Sequence, residues 1–116
     1  MAIKYNRAPD IKTRITELVD SNGFSNVNAS KIYCFRSEGS KSKTILARIW
    51  SFPKIWQKAL YMEPRYVIEV LGERFDKLPR KKQDEILVHE LNHIPTKFTG
   101  GLRRHNKKKF RKHIKI

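Results

Sequence analysis

Apolar residues recur along the chain with two periods. Ile11, Ile15, Leu18 and Val19 fall on one side of a helical wheel. They predict a helix that Asp10 caps and the Asn22-Gly23 pair ends. Ile32-Tyr33-Cys34-Phe35 is rich in β-forming residues and predicts a strand. After a polar turn, the run from Thr44 to Trp50 reads equally as strand or helix. Beyond Pro53, the residues Ile55, Trp56, Ala59 and Leu60 return at helical spacing. Tyr66-Val67-Ile68-Glu69-Val70 predicts a further strand. Pro79 then suits the first turn of a helix from Arg80 to Ile94, with Ile86, Leu87, Leu91 and Ile94 as its core face. Pro95 stops it, Gly100-Gly101 permits a reversal, and Leu102 to Ile116 predict a last, very basic helix. Helices flanking two or three strands give an α+β class. With no repeat or linker in 116 residues, one domain over 1–116 is expected.

The helix from Arg80 carries His89-Glu90-Leu91-Asn92-His93, an H-E-x-x-H pattern. Residues four apart on a helix share one face, so His89 and His93 can hold one metal ion. Glu90 then lies where a water on that metal would be. A catalytic zinc takes three protein ligands and leaves a position for water. Cys34 is the only cysteine, so no thiolate zinc site is available. No Asp or Glu follows Glu90, and the two histidines outside the motif are His105 and His113. His105 follows the Gly100-Gly101 reversal and is the expected third ligand; His113, among lysines, is expected at the surface. The chemistry is peptide hydrolysis, in which zinc activates water and Glu90 acts as general base. The donor to the oxyanion stays open among Tyr61, Tyr66, Arg103, Arg104 and His113. Strand 66–70 could either lie at the edge above the helix and pair with an extended substrate, or form central core.

Residues 86–95 and 98–105, with Ala47-Arg48-Ile49-Trp50, Tyr66–Val70 and Phe75-Asp76-Lys77-Leu78 upstream, resemble the small archaeal and phage metallopeptidase family. That resemblance implies a compact zincin-like core with a small antiparallel or mixed sheet packed on helices, one of them the active-site helix. It also implies His89, His93 and His105 as zinc ligands and Glu90 as the general base. A more distant likeness is to SprT-type zincins, which usually have glycine after the distal histidine; Asn106 stands here.

Composition adds a partner question. The chain has 26 Lys and Arg against 11 Asp and Glu, a net charge of +15. From Arg103 onward many basic residues and no acidic one occur. A solvated basic surface, a nucleic-acid-binding tail and a segment that regulates the cleft are the competing readings. The rival to a peptidase is a basic nucleic-acid-binding module with a structural zinc. A peptide or unfolded protein is the expected substrate, and homo-oligomerisation stays open. No stretch reaches the ~18–20 apolar residues of a membrane span. The polar N-terminus does not resemble a secretory signal, so a cytoplasmic location is expected.

Overall fold

The computed structural model describes residues 2–104. Four strands form one mixed sheet: β1 (Lys4–Arg7), β2 (Ile32–Glu38), β3 (Ala47–Trp50) and β4 (Tyr66–Leu71), in the order β1-β2-β4-β3. β4 runs parallel to β2, while β1 and β3 are antiparallel to their neighbours. The helices are α1 (Pro9–Ser21), α2 (Lys54–Leu60), α3 (Gly72–Phe75) and α4 (Arg80–Leu91). This is the α+β class the sequence predicts.

Alternation along the strands decides where the core lies. Ile32 and Cys34 of β2 and Tyr66, Ile68 and Val70 of β4 point to one side, where α1 and α4 cover them. Helix α1 buries Ile11, Ile15, Leu18 and Val19, as its periodicity predicts. It starts at Pro9 behind Ala8, one residue ahead of the expected cap. Asp10 pairs instead with Arg36, 2.9 Å away, and that guanidinium lowers the Asp10 pKa.

One strand is absent from the sequence expectation, and two elements that it leaves open are decided by the structure. β1 is a strand in a segment without apolar alternation; pairing with β2, not burial, sets its conformation. Residues 47–50, left open between strand and helix, form an edge strand. Strand 66–70 is central, flanked by β2 and β3, which matches the central-core alternative; the edge beside it is β3. The helix at Ile55 exists, but Ile55, Trp56 and Leu60 are exposed. Helical spacing there marks a face that the other described residues leave exposed. The predicted last helix beyond Leu102, with His105 and His113, lies outside the described residues apart from its first three positions, which are not helical. No helix among the described residues is long and apolar enough to cross a membrane.

A buried polar contact joins the two covering helices. Arg14 of α1 donates to the Asp84 carboxylate of α4 and to Gln83 Oε1 at 2.6 Å. The Asp84 side chain is 4% exposed and that of Arg14 11%. Removing one partner strands a charge in a nearly dry site. Asp84→Ala is therefore expected to lower stability by about 2–4 kcal/mol in urea unfolding. An unchanged unfolding midpoint would refute the role of this pair.

Candidate active site

Helix α4 presents His89 and Glu90 in its last turn; it ends at Leu91, short of the expected Ile94, and His93 follows in the turn beyond it. Leu87, Val88 and Leu91 anchor the same turns in the core, which fixes the rotation of the helix. Ile86, expected on the core face, is only partly buried. The rings of His89 and His93 lie together, with centroids 5.2 Å apart and planes at 82°. His93 Nδ1 is 2.9 Å from the carbonyl oxygen of Arg103. With Nδ1 donating to that carbonyl, the imidazole is held in the tautomer that leaves Nε2 with its lone pair.

Glu90 is buried, and burial pushes its carboxyl pKa up to about 7, against a smaller opposite pull from the Ile49 backbone N–H on β3. A carboxyl group held near neutrality suits proton transfer in both directions. An open cleft of about 370 Å³ runs beside it, between residues 44–47 ahead of and within β3 and the Lys82, Glu85, Ile86, His89 and Glu90 side of α4.

After α4 the chain returns on itself. Arg103 N donates to His93 O at 2.7 Å, and Arg103 Nε to Asn92 O at 2.5 Å. Tyr66 holds the middle of the return: its hydroxyl accepts from Gly100 N at 2.9 Å and donates to Gly101 O at 2.7 Å. Its ring meets Phe98 edge-on at 4.9 Å. Gly100 has φ of 92°, and a Cβ there would lie 2.3 Å from Phe52 O, so only glycine fits.

These contacts change the roles open to the sequence-level candidates. The Tyr66 hydroxyl is committed to the return segment, and the Arg103 guanidinium reaches the helix terminus. Tyr61 is 95% exposed on α2 with φ of 53°. Arg104 is exposed at the end of the described residues. His105 and His113 lie outside them. Among the described residues no group of three His, Cys, Asp or Glu side chains comes together to hold a metal. What is present does suit one: the imidazole of His89 in the last turn of α4 and that of His93 just beyond it lie together, the latter oriented by a backbone carbonyl at its Nδ1.

The family model described as "Putative phage metallopeptidase" matches residues 3–116. The chain belongs to this phage metallopeptidase family. No curated protein and no solved structure matches the chain. Membership carries the coarse activity: a metal-dependent peptidase acting on peptide substrates. The roles of Tyr66 and Arg103 in this metallopeptidase escape sequence reasoning, because both act through backbone partners. The proline stop and the paired glycines signal only that the chain turns.

Tyr66→Phe keeps the ring on Phe98 but leaves the Gly100 N–H without its acceptor. A loss of about 1–3 kcal/mol is expected in urea unfolding. Equal stability of Tyr66→Phe and the parent would show that the hydroxyl does not hold the return segment.

Proposed function

We propose that the chain is a zinc endopeptidase whose metal is held by His89, His93 and His105. The observation that carries this reading is Glu90, buried in the cleft beside the two imidazoles and facing the β3 edge. The return of the chain supports His105 as third ligand: Arg103 lies against His93, and His105 is two residues further on. An all-histidine set with one carboxylate outside it favours zinc. Bound there, zinc supplies Lewis acidity that polarises a carbonyl and lowers the pKa of water.

Glu90 takes a proton at its carboxylate from the attacking water and returns it to the leaving amine. Its raised pKa serves both halves of that transfer. β3 is an edge strand among the described residues, and its start at Ala47, with residues 44–46 before it, lines the cleft and offers backbone groups to an extended substrate, the β-augmentation role that is one of two alternatives the sequence leaves for residues 66–70. An unfolded protein segment can meet that edge; a folded one cannot present its backbone.

Glu90→Ala is expected to keep zinc by metal analysis while cleavage of an unfolded protein falls at least ~100-fold. Undiminished cleavage would sink the mechanism and favour a structural zinc in a nucleic-acid-binding module. His105→Ala is expected to lower zinc affinity by an order of magnitude or more (~10–100-fold, the scale of lost ligand-shell contacts). Full zinc retention by His105→Ala on dialysis would remove it from the ligand set.

A further inference from the structure

The sheet has a second face that α1 and α4 do not cover, with several aromatic residues exposed on it among the described residues. Opposite the core side, β1 contributes Tyr5 and Arg7, β2 Tyr33 and Phe35, and β3 Arg48 and Trp50. Aromatic exposure on this face is high: Tyr5 55%, Tyr33 36% and Trp50 47%. Each of three guanidiniums lies over a ring. Arg7 sits 5.4 Å from the Phe35 centroid, Arg48 5.8 Å from Trp50 and Arg65 5.9 Å from Tyr33. Between them Tyr5, Phe35, Trp50, Val67 and Glu69 line a shallow hollow of about 350 Å³.

We infer that this open aromatic and arginine face binds single-stranded nucleic acid. Bases stack on exposed rings and on guanidinium planes, and phosphates pair with the cations beside them. The charge is right for such a ligand. Glu69 is the one carboxylate at the strand positions of this face, and it is 1% exposed. Arg48 pairs with it at 3.2 Å and Trp50 Nε1 donates to it at 2.9 Å, so it does not present a free anion. Arg7 makes no ion pair with a carboxylate among the described residues. The whole chain carries +15, which draws polyanions from a distance. A second copy fits this face poorly, because a twofold contact would bring its arginines against one another. A duplex also fits poorly, since its bases are stacked inside and cannot reach the rings.

The inference does not depend on the peptidase reading, because the face lies across the sheet from Glu90. The test uses the full chain and fluorescein-labelled single-stranded DNA and RNA of about 12 nucleotides. The same sequence as a duplex, and inorganic polyphosphate, are the comparison ligands. Tyr33→Ala and Arg7→Ala are expected to weaken single-strand binding by about tenfold each and leave polyphosphate binding within about twofold for Tyr33→Ala. Substituting Lys107, Lys108 and Lys109 by alanine is expected to weaken all polyanions alike. In a Trp56→Phe background, single strands are expected to quench Trp50 emission and polyphosphate is not. Urea unfolding of each variant checks that it is folded.

Equal affinity for single strand, duplex and polyphosphate, with Tyr33→Ala silent, would overturn the inference and leave charge alone. A concentration-dependent dimer that Tyr33→Ala disrupts without nucleic acid would give the face to a second copy instead. Neither result would touch Glu90→Ala, so the two readings fail separately.

Discussion

The hydroxyl of Tyr66 ties the centre of the sheet to the chain's return past α4. β4 is held between two neighbours, and its first residue, Tyr66, is fully buried. A return segment hung from it inherits that position. Arg103 then meets the end of α4, and His93 receives a carbonyl against its Nδ1. The orientation of one imidazole therefore depends on a bond made ten residues later, which itself depends on a phenol in the sheet. The cost is a glycine that cannot be replaced at position 100 and a phenol buried enough that its pKa is raised.

Legibility in the sequence follows burial. Helices α1 and α4 and strands β2 and β4 each bury a periodic apolar set, and their periods give them away. β1 buries nothing, so its four residues carry no pattern to read. β3 is short and at an edge, with partly buried and exposed residues, so neither period wins. Helical spacing at Ile55, Trp56 and Leu60 was informative about conformation and misleading about the core. The same division runs through the site. His89, Glu90 and His93 are adjacent in sequence and could be found there. The β3 edge comes from tertiary pairing, which is why the sequence leaves residues 66–70 open between edge strand and central core.

Asp84 and Glu90 sit on one helix with opposite consequences. Both are buried carboxylates on α4. Asp84 faces Arg14 and is matched by charge, which makes it a joint between helices. Burial dominates at Glu90, with only a backbone N–H as an identified counterweight, and its pKa rises. A protein that needed only stability would pair both. Leaving one carboxyl in a costly environment is the usual mark of a group used for proton transfer, and here it stands between two histidines in an open cleft.

β3 joins the two faces of the molecule through strand alternation. Ala47 and Ile49 turn toward α4 and the cleft, while Arg48 and Trp50 turn to the uncovered side. Successive residues thus serve the proposed peptide-binding edge and the proposed nucleic-acid face. Bound nucleic acid would pack against Arg48 and Trp50, whose neighbour Ala47 lines the cleft on the other side of the strand. A protein held on that strand of nucleic acid would have its unfolded segments delivered beside Glu90 rather than searched for through solution. The gain is one of local concentration, needing no movement in the sheet. Arg48 beside that edge would also disfavour edge-to-edge pairing with another copy of the chain, because the same cation would face itself.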